Sequence, residues 1–219
     1  MTSVFATPSR TAFDAVIWDY DGTLVATGAA DIAAVETLVR RDPTAADGAA
    51  VFWACEGQPI QTRIERAWPG RVDEILPLFD IAVRPRVFPG IRAALAALRT
   101  TGVRLAVVSS RRCDPLEWGL RATRLRPAFV AVVGLDDVVE PKPSPEGLLL
   151  AMRSLGVAPA RTVFVGDSTL DMEAGRRAGV TAWRSSWAHP GRENRAGDFA
   201  LRRPQDVLSG LEGMTAQAG

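Results

Sequence analysis

Histidine and lysine are almost absent from this sequence, and each absence is informative. The single histidine, His189, lies in a polar, turn-like stretch, SSWAHPGREN. One histidine excludes catalysis by paired histidines and a metal site built from several of them. Lys142 is the only lysine among 26 lysine and arginine residues. Because an ammonium and a guanidinium are not equivalent at a tight site, a retained lysine in an arginine-biased chain indicates a specific role.

Cysteine is also scarce, and long apolar runs are missing. The two cysteines, Cys55 and Cys113, favour free thiols in a reduced cytoplasm over a disulfide. No apolar run approaches the roughly 20 residues of a membrane span, and the first residues lack the cationic start and apolar stretch of a signal peptide. With a net charge of +1, we expect a cytoplasmic monomer or homodimer with no nucleic-acid or membrane partner.

Apolar runs alternate with helical patterns along most of the chain. The runs are typical of buried parallel strands; they are AVIWD (15–19), RLAVVSS (104–110), FVAVVGL (129–135), TVFVGDS (162–168) and VTAWRS (180–185). Between them, apolar residues recur at helical spacing, as in Leu148, Met152 and Leu155. This alternation predicts an α/β fold with a parallel sheet.

Residues 29 to about 86 interrupt the alternation. Their amphipathic patterns predict three helices, near residues 32–39, 60–67 and 75–82, and no strand. The interruption indicates a small helical insertion between the first strand and its partner helix. We therefore expect a catalytic core of residues 12–26 and 87–213, a helical cap of residues 27–86, and flexible ends at 1–11 and 214–219.

The first strand ends in two carboxylates, in the stretch VIWDYDGTLVATG (16–28). Side chains two residues apart on an extended chain point the same way, about 6.5–7 Å apart, so a phosphoryl group fits between Asp19 and Asp21. Asp19 is the candidate nucleophile, and Asp21 the candidate acid and base. Gly22 permits a sharp exit, and the Thr23 hydroxyl is expected to orient Asp21. An Asx turn is the alternative for DYDG taken alone.

A second acidic pair follows the strand TVFVG. Asp167 closes that strand, and Asp171 lies four residues on, near a helix start. N-capping of the following helix by Asp167 or Ser168 would explain one acidic residue at this position. It would not explain why two acidic residues lie beside Asp19 and Asp21. The carboxyl ends of parallel strands share one edge of the sheet, so four carboxylates would repel one another there unless a cation is bound. Oxygen donors and phosphate chemistry favour Mg²⁺.

Groups that suit a phosphoryl group follow the same edge. Ser109 ends the strand RLAVVSS, and together with Ser110 and Gly22 it is a candidate phosphate-binding group; an N-cap is an equal alternative for Ser109 alone. Lys142, in EPKPSPEG, would neutralise charge on the phosphate and on Asp19. The alternative is that Lys142 is a solvated surface lysine.

Other cationic and aromatic residues are assigned no chemistry. Arg111 and Arg112 follow the serines and would steer anionic substrates, although a solvated helix face is the favoured interpretation. The tryptophans are interpreted as packing groups, except that Trp53, in the insertion, would suit a nucleotide platform.

Four motifs together resemble the haloacid dehalogenase-like superfamily of phosphohydrolases, most closely the branch of phosphoglycolate phosphatases and β-phosphoglucomutases. The motifs occur in the family's order and spacing; they are DYDGTL (19–24), VVSS (107–110), KPSP (142–145) and GDSTLD (166–171). The resemblance implies a Rossmann-like core with an inserted helical cap. It also implies a phospho-aspartate on Asp19, acid–base work by Asp21, and a phosphoryl group held by Ser109 and Lys142.

The same resemblance implies the metal ligands and the substrate loop. Mg²⁺ would be held by Asp19, the backbone carbonyl of Asp21, and Asp167, with Asp171 close behind. CEGQPI (55–60) resembles the cap loop that reaches the active site, which places substrate selection at Glu56, Gly57 and Gln58.

One departure from the family concerns the entry to the cap. Relatives often have DGTLVDS where this chain has DGTLVATG, so Ala26 and Thr27 put the usual substrates in doubt. The expected function is a Mg²⁺-dependent phosphatase of a small phosphorylated metabolite, such as a sugar phosphate or a phosphoglycolate-like compound. A phosphomutase is less favoured because no histidine follows the first motif, and a catalytically silent binding domain is the alternative from another class.

Overall fold

The computed structural model describes residues 12–55, 58–81, 85–188 and 199–217. Its strands are β1 (Ala15–Trp18), β2 (Val25–Ala26), β3 (Arg86–Val87), β4 (Arg104–Val108), β5 (Ala131–Val133), β6 (Thr162–Gly166), β7 (Thr181–Ser185) and β8 (Phe199–Leu201). Six of these strands form one sheet in the order β5-β4-β1-β6-β7-β8, and each neighbouring pair is parallel. The predicted α/β fold with a parallel sheet is confirmed.

Helices occupy most of the remaining described chain. They are α1 (Gly28–Arg41), α2 (Ala46–Ala54), α3 (Ile60–Ala67), α4 (Val72–Ile81), α5 (Ile91–Thr100), α6 (Cys113–Ala122), α7 (Glu146–Leu155), α8 (Thr169–Ala178) and α9 (Asp206–Gln217). Within the ranges that the structure describes, none of them is both long and apolar enough to cross a membrane.

The sheet is covered by helices on both faces. Val16 and Trp18 of β1 join an apolar cluster with residues of α5, α6 and α9. Ala15 and Ile17 point to the other face and pack with residues of α7 and α8. Because successive strand residues alternate between faces, burial on both sides requires an apolar residue at every position of β1, which is the pattern of its sequence.

Helices α1 to α4 form a cap with an apolar cluster of its own. Phe52 of α2 is fully buried in this cluster, and its ring lies 5.6 Å from that of Trp68 and 5.2 Å from that of Phe79. The predicted cap helices correspond to α1, α3 and α4. Sequence reasoning missed α2, because the segment ADGAAVFWA is too rich in alanine to show an apolar stripe.

A short antiparallel ribbon of β2 and β3 lies where the chain enters and leaves the cap. Each strand has two residues, which is too short for an alternating pattern, so the expectation of no strand in residues 29–86 was wrong at β3. The sixth sheet strand, β8, has three residues and was missed for the same reason.

Candidate active site

Asp19 lies at the carboxyl end of β1, between the ends of β4 and β6. Its backbone N–H donates to the carbonyl of Val165 at 2.8 Å, which fixes the residue to the neighbouring strand. The side chain is buried, with Asp19 4% exposed. The candidate nucleophile therefore lies where open parallel sheets bind ligands.

Lys142 reaches Asp19 from the segment that precedes α7. Its side chain is 7% exposed, and Nζ donates to Asp19 Oδ1 and to Asp171 Oδ1, each at 2.6 Å. Burial acts to lower the pKa of Lys142, but attraction to Asp171 and Asp19 outweighs it, so this pKa lies above its ordinary value. Lys142 is a buried ammonium, and the alternative of a solvated surface lysine is wrong.

Three carboxylates are clustered at this site. Asp19, Asp167 and Asp171 each offer one oxygen, and these oxygens all lie within 4.8 Å of one another. Burial raises the pKa of Asp19 well above its ordinary value; Lys142 opposes the rise, while Asp171 and Asp167 add to it. The repulsion among these three carboxylates therefore makes the ionised form of Asp19 less favourable.

The donor chemistry of the cluster fits a hard divalent cation. Carboxylate oxygens in this number and spacing are the ligands that Mg²⁺ prefers. A divalent cation would also offset the repulsion among these carboxylates and favour the ionised form of Asp19, which is the form a nucleophile requires. Asp19, Asp167 and Asp171 are the residues that would hold it.

Asp171 combines this position with helix capping. The Ser168 hydroxyl accepts from the backbone N–H of Asp171 at 3.1 Å, and the backbone N–H of Ser168 donates to Asp171 Oδ2 at 2.9 Å. This reciprocal pair is the capping box of α8. Asp171 thus uses Oδ2 for the cap and Oδ1 for Lys142, which fixes the carboxylate at both ends.

Asp21 is not one of the three clustered carboxylates and is bound by Arg111. Arg111 Nη2 donates to Asp21 Oδ1 at 2.8 Å, and Nε donates to Oδ2 at 3.1 Å. Attraction to Asp21, the largest cause, raises the pKa of Arg111 above its ordinary value. A two-point contact of this kind fixes the plane of the carboxylate as well as its position.

The predicted contact between Thr23 and Asp21 is wrong. The turn after β1 is closed by bonds from Leu24 N–H to the Tyr20 carbonyl and from Gly22 N–H to the Val25 carbonyl. It directs Thr23 into the interior, where the residue is fully buried and its hydroxyl pairs with Ser185 Oγ at 3.1 Å. Arg111, not Thr23, orients Asp21.

Gly22 is required by two features of this turn. Its φ of +77° lies in the left-handed region that favours glycine. A Cβ at this position would overlap the carboxylate of Asp167. Any side chain here would therefore displace one of the three clustered carboxylates.

The serines after β4 lie beside the same site. Ser109 is 5% exposed, and its hydroxyl accepts from the backbone N–H of Arg111 at 3.1 Å, so it caps a turn and not α6. Ser110 Oγ is buried, and among the described residues it has no hydrogen-bond partner. An unpaired buried hydroxyl is costly, so this group has capacity for a ligand oxygen.

A cavity of about 760 Å³ opens over these groups. Its walls include Asp19, Ser110 and Lys142 from the core, and Gln58 from the cap. The other two predicted cap residues, Glu56 and Gly57, lie outside the described residues.

Sequence reasoning misplaced two residues at this cavity, Arg111 and Trp118. Arg111 was assigned to a solvated helix face, yet it binds Asp21; its place in the loop directly after β4 was the available signal. Trp118 was interpreted as a packing group but is 57% exposed and lines the cavity together with Trp53. No pattern in the sequence separates an exposed tryptophan from a buried one.

Comparison with known proteins agrees with the geometry. A model of the family described as haloacid dehalogenase-like hydrolase matches residues 16–184. The chain is 31% identical over 214 residues to the pyrophosphatase PpaX of Anoxybacillus flavithermus, with 92% of this chain and 98% of that protein covered. It is 35% identical over 126 residues to the phosphoglycolate phosphatase of Aquifex aeolicus, with 58% of this chain and 59% of that protein covered.

A solved structure supports the same assignment. The crystal structure of CbbY from Rhodobacter sphaeroides in complex with phosphate superposes with a TM-score of 0.72 at 25% identity, with 91% of this chain and 99% of that chain covered. Together with the family match, these comparisons confirm the family resemblance that the motifs DYDGTL and GDSTLD indicated. The chain belongs to the haloacid dehalogenase-like hydrolase family and is a phosphatase of that family.

Proposed function

We propose that this protein hydrolyses phosphomonoesters of small metabolites through a phospho-aspartate on Asp19, with Mg²⁺ as cofactor. The observation that carries the proposal is the position of Asp19: a buried carboxylate at a strand end, bonded to Lys142 and within 4.8 Å of two further carboxylates. Bound there, Mg²⁺ would screen the negative charge that otherwise keeps a phosphate away from the carboxylates.

In the first half reaction, a carboxylate oxygen of Asp19 attacks phosphorus and the bond from phosphorus to the leaving oxygen breaks. Asp21 gives its proton to that oxygen, so an alcohol departs. Lys142 stabilises the charge that develops near Asp19, and the free hydroxyl of Ser110 donates to a phosphoryl oxygen. Arg111 keeps the Asp21 carboxylate in place through its two hydrogen bonds.

In the second half reaction, ionised Asp21 takes a proton from water as the water oxygen attacks the phospho-aspartate. The bond from phosphorus to Asp19 breaks, and inorganic phosphate leaves. Asp21 is then protonated again, so the enzyme returns to its starting state.

The test compares Mg²⁺-dependent hydrolysis of p-nitrophenyl phosphate by the unaltered chain and by Asp19→Asn. We expect Asp19→Asn to lose about 10³-fold or more in kcat because the nucleophile is removed. The exposed Asp73→Asn in the cap is the matched control and should retain full activity. Near-normal turnover by Asp19→Asn, or activity that persists in EDTA, would contradict the proposal.

The same preparation separates a phosphatase from a phosphomutase. A mutase needs a bisphosphate primer, and a phosphatase does not. The names of the relatives make pyrophosphate and 2-phosphoglycolate the first natural compounds to assay. Mass spectrometry of the quenched enzyme should find one added phosphoryl group on the peptide that contains Asp19.

A further inference from the structure

The cavity wall away from the carboxylates carries exposed aromatic and aliphatic surface. Trp118 is 57% exposed, Ile32 51% and Trp53 39%, and all three line the cavity. Large apolar side chains left open to solvent in one concave site mark a binding surface. A phosphate group is polar and anionic and does not bind to apolar surface. We therefore assign this surface to the rest of the substrate.

The Trp53 ring is packed against neighbouring side chains, and the helix that carries Trp118 is packed closely against the core. In the cap, the Trp53 ring packs edge-on against Phe52 at 5.0 Å, and the guanidinium of Arg63 lies 5.8 Å over it. In the core, Trp118 precedes Gly119, where a Cβ would overlap the hydroxyl of buried Tyr20. Aromatic platforms held on helices lose little conformational entropy when a flat group stacks on them.

The charges at the cavity argue against a second anionic group on the substrate. Three cationic side chains are among its described lining residues, and each already has a carboxylate partner. Arg63 is bonded to Asp31 at 2.8 Å, Arg111 to Asp21 at 2.8 Å, and Lys142 to Asp19 and Asp171 at 2.6 Å.

Six described aspartates line the cavity; they are Asp19, Asp21, Asp31, Asp114, Asp167 and Asp171. Mg²⁺ and Lys142 would balance the three clustered carboxylates, and two further aspartates are paired with Arg111 and Arg63. Asp114 is then the additional negative charge on the described walls. Among the described lining residues no cation is left unpaired, so a carboxylate or second phosphate on the leaving group would meet this negative charge with its desolvation uncompensated there.

Resting on the proposed phosphatase function, we infer that the leaving group is an uncharged alcohol with a flat apolar portion that binds Trp53 and Trp118. The volume of about 760 Å³ suits such a group, because pockets of about 300–1,000 Å³ hold ligands of drug size. Substrates with a second anion, including pyrophosphate and 2-phosphoglycolate, are therefore poorer.

The test compares benzyl phosphate, ethyl phosphate and 2-phosphoglycolate, all of which release a primary alcohol, with the full chain and Mg²⁺. We expect kcat/KM for benzyl phosphate to exceed that for ethyl phosphate about 10-fold or more, with 2-phosphoglycolate below both. Trp53→Ala and Trp118→Ala should each lower kcat/KM for benzyl phosphate through KM, and so lower the benzyl-to-ethyl ratio of kcat/KM about 3- to 10-fold. Val130→Ala, an exposed apolar residue outside the cavity lining, is the control.

A second variant tests the electrostatic half of the inference. Asp114→Asn removes one lining charge at nearly constant size, and should raise kcat/KM for 2-phosphoglycolate about 2- to 5-fold relative to benzyl phosphate. A preference of the unaltered chain for 2-phosphoglycolate or pyrophosphate, or tryptophan variants with an unchanged benzyl-to-ethyl ratio, would overturn the inference while leaving the phosphatase function intact. Absence of Mg²⁺-dependent hydrolysis of every compound would instead overturn the proposed function.

Discussion

At the residue scale, two hydrogen bonds from Arg111 fix the carboxylate of Asp21. This contact predicts that a substitution of Arg111 lowers activity by an amount that depends on the leaving group. Lysine at position 111 keeps the charge but loses the fork geometry. We expect Arg111→Lys to lower kcat/KM for ethyl phosphate about 10- to 100-fold, because the alkoxide needs a well-placed proton. For p-nitrophenyl phosphate the loss should be small, since nitrophenolate leaves without one.

The kcat/KM values, which report the first half reaction, are the measurement. Arg112→Lys is the matched control. The side chain of Arg112 is 55% exposed and its Nε lies 3.3 Å from Asp136 Oδ1, so this variant should hydrolyse both substrates normally. Equal losses for both substrates in Arg111→Lys would indicate a structural role and contradict the assignment of Arg111 as a positioning residue.

Residue identities at this site were more predictable from sequence than residue partners. Asp19 and Lys142 stand out because a carboxylate ends an apolar strand and a lone lysine survives among arginines. The partner of a side chain depends on where other loops meet it in space. Thr23 pairs with a residue 162 positions away, and Arg111 with one 90 positions away, so no local pattern encodes either contact.

At the element scale, the close approach of α2 to the end of α3 predicts a destabilising Gly48→Ala. Alanine has the better helix propensity, by about 1 kcal/mol. A Cβ at position 48 would, however, overlap the carbonyl of Ala67 and the indole Nε1 of Trp68, which donates to the Ala45 carbonyl at 2.8 Å. Overpacking costs about 1–3 kcal/mol, so the free energy of unfolding should fall.

Denaturant unfolding followed by far-ultraviolet circular dichroism measures this change. Gly213→Ala in α9 is the control, because a Cβ there meets nothing within 4 Å and should stabilise the protein by up to about 1 kcal/mol. If both substitutions stabilise the protein, the proposed close packing of α2 against α3 is not rigid.

Long periodic elements were predictable, and short or alanine-rich ones were not. Strands β1, β4 and β6 each contain a run of four residues without a polar side chain, AVIW, LAVV and VFVG, and their burial on both faces leaves a clear sequence pattern. Helix α2 relies on Phe52 and on close packing instead of an apolar stripe, so its existence is decided by tertiary contacts.

At the scale of the whole molecule, the chemistry is divided between two layers. The groups proposed to act on phosphorus follow the strands of the core, while the cap and α6 supply other walls of the cavity. The division into a core of residues 12–26 and 87–213 and a cap of residues 27–86 stays a prediction. Because strand-end motifs are short and local, they identify the reaction more readily than the substrate, whose contacts are spread over distant helices.

The clustered carboxylates link metal binding to the stability of the whole fold. Asp19, Asp167 and Asp171 repel one another in the folded chain, and unfolding separates them. A cation that binds only the folded state stabilises it by about 2.7 kcal/mol at 100 times its Kd. For a chain of this length, Mg²⁺ should raise Tm by about 5–10 °C over KCl of equal ionic strength. Asp167→Asn should lose most of this rise, whereas Asp73→Asn should keep it; an equal rise in both variants would place the cation elsewhere.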